Sequence, residues 1–135
     1  MRLQLAGAPR LHRAGRELHT GTRKALTLAL LVALEPGVRR TRAAELLWPE
    51  TDLPAGRRNL RRDLFRLRQL GLALSDGAGD TLTLTDAEFD WPPAAALPPR
   101  WLDGLDEVAG NELSHWVEQQ RALLQRRWID QLADR

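Results

Sequence analysis

The chain has 135 residues, no Cys and a formal net charge of +2, a size for one domain or for one small domain with an appendage. It is long enough to bury roughly two thirds of its unfolded-chain surface without staples, and the absence of Cys excludes disulfides and thiolate metal sites and fits a cytoplasmic protein. The charge is unevenly spread: residues 1–37 carry +4, residues 38–72 carry +5 with nine Arg, residues 73–118 carry −9, and residues 119–135 carry +2, so the basic block is the candidate nucleic-acid footprint.

Arg2–Ala6 alternates and reads as a strand rather than as the apolar segment of a signal peptide. Gly7-Ala8-Pro9 is a turn, Arg10–His12 a second strand, Gly15 a second turn, and Arg16–Leu18 a third strand, which together predict a small antiparallel sheet. Thr20 or Thr22 can cap the next helix. Ala25–Leu34 is apolar nearly all round, apart from Thr27, and so belongs in the middle of a core. It is too short to span a bilayer, and no membrane partner is expected. Glu35-Pro36-Gly37 stops it. Arg39–Trp48 reads as a shorter helix with Ala43, Leu46 and Leu47 inward and Thr41 as a possible cap, although no Glu or Gln follows at the capping-box position. Pro49–Pro54 is a loop.

The stretch from Asp52 to Gly71 dominates the chain. Leu60, Leu64, Leu67 and Gly71 fall at helical spacing and form one apolar stripe. Asp52 suits the N-cap and Pro54 the first turn. The opposite face carries Arg58, Arg62 and Gln69, with Arg61, Phe65 and Arg66 on its flanks, and Asp63 is the only carboxylate between Ala55 and Gly71. A solvated basic face would ordinarily be interleaved with acids; this one is not. Arg is also the side chain best shaped to read guanine through two hydrogen bonds in the major groove. Three helices with a short loop before the basic one predict a helix-turn-helix.

Beyond Gly71 the period changes. Leu72-Ala73-Leu74 and Thr81–Leu84 flank Ser75–Asp80, whose Asp76-Gly77 and Gly79-Asp80 pairs predict a hairpin, in the position of a wing. Its tip is acidic. Residues 91–110 form a Pro/Ala-rich linker in which Trp91, Leu97 and Trp101 are candidates to pack back onto the domain. Asn111 is the candidate cap of a last helix running to about Ala133. Leu113, Trp116, Val117, Gln120, Leu123, Leu124, Arg127, Trp128 and Leu132 mark its mostly apolar face, expected to dock on this chain's own core because patches of that size are uncommon on monomers.

No catalytic or cofactor chemistry is expected. His12, His19 and His115 lack metal-ligand spacing, and no phosphate-binding glycine motif occurs. Ser75 and Ser114 lack a nucleophile signature. The five Trp residues lie outside the basic runs, unlike the interleaved pattern of single-strand binders.

GTRKALTLALLVALEPG, AAELLWPETD, RRNLRRDLFRLR and the acidic hairpin together resemble the N-terminal half of the Streptomyces antibiotic regulatory proteins. These are transcriptional activators with an OmpR/PhoB-type winged helix followed by a bacterial transcriptional activator domain of helical repeats. LDGLDEVAGNELSHWVEQQRALLQRRW is similar to the first helix of that second domain. The resemblance implies an α+β fold: a winged helix-turn-helix over residues 1–90, the linker over 91–110, and an amphipathic C-terminal helix over 111–135. It implies that the third helix enters the major groove, with Arg58, Arg61, Arg62 and Arg66 reading bases. It also implies that the loop of Trp48, Pro49, Glu50, Thr51 and Asp52 faces RNA polymerase, and that copies bind direct repeats of double-stranded DNA head to tail, as a homodimer on DNA. Three departures stand out. Arg39 occupies the usual position of a small cap, the linker replaces a further helix, and only one repeat-like helix is present, as in a fragment, a truncated relative or a minimal regulator.

On this reading Arg42, Arg57, Asn59 and Arg68 hold the DNA backbone. The alternative is a protein-interaction module, in which a winged-helix scaffold presents the acidic region or the Trp-rich last helix. The charge split adds a third possibility, that the acidic segment folds over the arginines.

Overall fold

The computed structural model describes residues 1–94 and 97–134. Residues 95, 96 and 135, part of the expected linker and the end of the expected last helix, lie outside the described residues. Among the described residues the fold is mixed α+β, with four α-helices and two small sheets, neither closed into a barrel.

Strands β1 (Arg2–Gln4), β2 (Arg10–Arg13) and β3 (Arg16–Leu18) form an antiparallel meander. Ala14 and Gly15, both at positive φ, make the two-residue β2–β3 turn, the form whose twist matches the strands it joins. The sheet has a fourth strand that the local pattern does not announce. β7 (Glu88–Asp90) pairs parallel to β1, Leu3 opposite Phe89, so the sheet is mixed rather than purely antiparallel. The Met1 amino group donates to the Asp86 carbonyl, and Arg2 bridges to Glu88 and Asp90.

Helix α1 (Arg23–Leu34) is capped by Thr22, whose hydroxyl accepts from the Ala25 N–H at 3.0 Å. Ala25 and residues 27–32 are buried, and the Thr27 hydroxyl is satisfied by the Arg23 carbonyl at 2.8 Å. This is the helix without a polar face, and it lies at the centre of the core against the two helices and the hairpin that follow. A two-residue strand, β4 (Val38–Arg39), leads into α2 (Arg40–Leu47). The expected Thr41 cap is not made. Arg39 holds the cap position, without a side-chain cap, because Val38 and Arg39 are drawn into pairing with Leu82 and Thr81.

Helix α3 (Leu53–Gln69) begins where the sequence places it. Asp52 accepts from the Ala55 N–H at 2.8 Å, and Leu60, Leu64 and Leu67 are buried. Burial of each leucine is worth about 1.5–3 kcal/mol. Gly56 sits where α3 crosses α2. A Cβ there would stand 3.3 Å from the Thr51 hydroxyl and 3.6 Å from the Ala44 methyl. The hairpin is β5 (Leu74–Gly77) and β6 (Thr81–Leu84), closed by a three-residue loop in which Gly79 and Asp80 both take positive φ. Its first strand therefore includes Ser75, Asp76 and Gly77, which the sequence pattern leaves in the loop. β4 adds a third strand, giving the order β4-β6-β5.

Much of the stretch expected as a linker is core. Trp101, Leu102 and Leu105 are buried, and a short 3₁₀ turn spans Leu105–Glu107. Leu97, expected to pack back, is instead exposed. Helix α4 (Asn111–Ala133) starts with Gly110, not Asn111, in the cap position. Its Leu113, Trp116, Val117, Gln120, Leu124 and Trp128 are buried, while Leu123 and Arg127 of the expected face lie outside the core. Trp91, Trp101 and Trp128 stack edge to face at 5.8 and 6.1 Å, and Arg127 lies 5.2 Å over Trp91. Arg121 clamps the turn to the helix, donating to the carbonyls of Trp101 and Leu102 at 2.8 and 3.2 Å and to Asp106 at 3.2 Å. No helix among the described residues is long and apolar enough to cross a membrane.

Candidate nucleic-acid interface

Burying the leucine stripe leaves the other side of α3 outward. Arg57, Arg58, Arg61, Arg62, Arg66 and Arg68 are all exposed along its 17 residues, a span of about 25 Å at 1.5 Å per residue. The four residues expected to read bases are thus brought together on one open surface. Arg58, Arg61 and Arg66 have no ion pair among the described residues. Arg62 donates through Nε to Asp63 at 3.2 Å, and its terminal nitrogens have no hydrogen bond among the described residues. Asp63 is fully buried, its second oxygen has no partner among the described residues, and its first oxygen holds the Arg62 guanidinium.

Two of the four expected backbone contacts are engaged inside the protein. Arg42 makes two hydrogen bonds to Glu35, at 2.9 and 3.3 Å, and this carboxylate raises its pKa further above the ordinary guanidinium value. The same Glu35 accepts from the Trp116 indole at 3.2 Å, joining α1, α2 and α4. Arg42 is therefore a structural tie. Arg68 donates to the Leu74 carbonyl and lies 3.5 Å from Asp76. Arg57 reaches only the Thr41 hydroxyl, at 3.5 Å, and Asn59 is half-buried on the side of the helix.

Two residues beside the hairpin, Arg39 of β4 and Arg40 of α2, were missed by the sequence reading. Arg40, at the start of α2, bonds Asp76 and lies 3.1 Å from Asp80, so the acidic hairpin holds it. Arg39 is exposed and without an ion pair among the described residues, with its guanidinium 3.9 Å from the point where a Gly79 Cβ would stand. An open cleft of about 390 Å³ between α3 and the hairpin loop is lined by Arg40, Arg57, Arg58, Arg61 and Asp80. The adjacent Arg39-Arg40 pair ahead of a helix was the available signal, but which helix end it would face depends on the hairpin. Phe65, expected on the flank of the basic face with Arg61 and Arg66, is 62% exposed.

The loop between α2 and α3 is well tied. Trp48 is buried with the Lys24 ammonium 5.7 Å over its ring, so its side chain belongs to the core and not to an outward loop surface. Glu50 bonds Lys24 at 3.2 Å, and its carboxyl is held below the ordinary range chiefly by a backbone hydrogen bond. Thr51 donates to the Trp48 carbonyl at 2.9 Å. Pro49, Thr51 and Asp52 line a shallow cleft of about 290 Å³ with Leu53, Glu45 and Glu112.

Within the acidic segment, Asp76 of the hairpin lies 3.5 Å from Arg68 of α3, while the carboxylates beyond the hairpin pair elsewhere. Asp86, Glu88, Asp90, Asp103 and Asp106 pair with Arg13, Arg2, Arg100 and Arg121, and none touches an α3 side chain among the described residues. The tryptophans of the last helix are buried rather than presented. Among the described residues no group of three or more His, Asp or Glu is placed to hold a metal ion. No protein-family model, curated protein or solved structure matches the chain. What the molecule defines by itself is an α+β protein with a bare, arginine-rich helix beside a β-hairpin.

Proposed function

We propose that this protein is a sequence-specific, double-stranded DNA-binding transcription regulator. On this proposal α1–α3 and the β5–β6 hairpin act as a winged helix-turn-helix of the OmpR/PhoB type, as in the Streptomyces regulators that the sequence resembles. The observation that carries the reading is the outward face of α3, where Arg58, Arg61 and Arg66 stand exposed with no carboxylate partner among the described residues. Helix α3 lies in the major groove. Arg58, Arg61, Arg62 and Arg66 contact bases, while Arg57 and Arg39 meet flanking phosphates. Affinity comes chiefly from counterion release, and specificity from the base contacts. Copies bind direct repeats head to tail in the cytoplasm. The acidic cleft of Glu45, Asp52 and Glu112 faces RNA polymerase. A docking surface built from the tryptophans of α4 is the poorer reading, because those rings are buried.

The test is binding to random-sequence duplex DNA by gel shift across a salt series. Binding is expected at low salt and should weaken as salt rises, with a log–log slope of about −0.9 for each phosphate that an arginine neutralises. No shift with micromolar protein at low salt would rule the reading out.

A further inference from the structure

We propose that Phe65 reads a thymine methyl group, and so sets an A·T preference within a site otherwise read by arginine. This inference rests on the DNA-binding reading above. Phe65 is 62% exposed in the C-terminal half of α3. It stands one helical turn beyond Arg61 and Arg62 and two turns beyond Arg58, on the same outward side. No other aromatic ring packs against it, and no cation lies over its face, among the described residues. The ring is therefore neither a core side chain nor a platform for a neighbouring guanidinium.

A large apolar ring surrounded by cations would be a poor seat for an apolar peptide, whose approach would leave those charges without water. A polyanion that also offers an apolar group satisfies both at once. In the major groove the thymine C5 methyl is that group, while guanine O6 and N7 suit the flanking arginines. Because α3 presents Phe65 and Arg61/Arg62 on neighbouring turns, the thymine lies within a few base pairs of a guanine read by Arg61 or Arg62.

The experiment takes the tightest-binding duplex recovered from a random-sequence selection and replaces each thymine singly with uracil, which lacks only the methyl. Wild-type protein should lose about fourfold in affinity at one thymine per half-site, the effect of one methyl group leaving water. Phe65→Ala should bind the thymine and uracil duplexes equally at that position, and Phe65→Leu should keep part of the difference. The side chain is exposed, so circular dichroism of both variants should match wild type. If a duplex is selected but no uracil replacement matters, the assignment is overturned. It is also overturned if Phe65→Ala weakens all duplexes alike while the thymine–uracil difference persists. If no duplex is selected at all, the DNA-binding reading itself fails, and this inference with it.

Discussion

If the protein binds DNA as proposed, the acidic hairpin competes with DNA phosphate for two arginines, and removing its charge should tighten binding. Arg40 is held by Asp76 and Asp80, and Arg68 lies 3.5 Å from Asp76. The two carboxylates are more than half exposed, and the Arg68–Asp76 pair, open to water on both sides, contributes at most about 1 kcal/mol to folding. The double substitution Asp76→Asn with Asp80→Asn should leave a folded protein with Arg40 released in the cleft of Arg57, Arg58 and Arg61 and Arg68 freed from its carboxylate partner. Each released arginine that finds a phosphate steepens the log–log salt slope by about 0.9, which at ~0.1 M salt amounts to roughly an eightfold gain over the 1 M reference. With both engaged, the slope steepens by about 1.8. Fluorescence anisotropy on one duplex over a salt series measures slope and affinity together. An unchanged slope, with affinity equal to wild type or weaker, would refute the competition.

Arg61→Ala should lower affinity for the selected site by about 1–3 kcal/mol and relax preference at one base position, read by repeating the selection with the variant. Leu64→Ala removes a fully buried side chain from the α3 stripe and should destabilise the fold by about 2–5 kcal/mol in urea titration. Gly56→Leu must place a branched side chain against Thr51 and Ala44; a loss of about 1–3 kcal/mol or more is expected, with weaker DNA binding because α3 is pushed from α2. Asp106 is held below the ordinary carboxyl range, first by its hydrogen bond to Arg121. A depressed carboxylate contributes stability above its unfolded pKa of about 3.9 and loses it as pH falls through the lower folded value. The stability gap between wild type and Asp106→Asn should thus be full at pH 7 and close below about pH 4, followed by tryptophan fluorescence.

Features written in local spacing are legible along the chain. The Leu60, Leu64 and Leu67 stripe, the caps at Thr22 and Asp52, the stop at Pro36-Gly37 and the turns at Gly15 and Gly79 each depend on neighbours within a helical turn or a tight loop. The all-round apolar character of Ala25–Leu34 likewise announced a central helix, because a helix with no polar face has nowhere else to go. The candidate site was legible to the same extent: an apolar stripe on one side of α3 obliges the arginines to the other.

What the tertiary structure decided is where distant charges meet. β7 completes the first sheet through contacts 86 residues apart, such as Arg2 with Glu88, and nothing in three alternating residues specifies a parallel partner. The pairing of Val38-Arg39 with Leu82-Thr81 displaced the expected cap of α2 and brought Arg40 to the acidic hairpin. Arg42 and Arg58 look alike in sequence, yet one is tied to Glu35 and the other has no ion pair among the described residues. The period of a helix tells which way a side chain faces. Whether a carboxylate waits there is a matter of long-range packing.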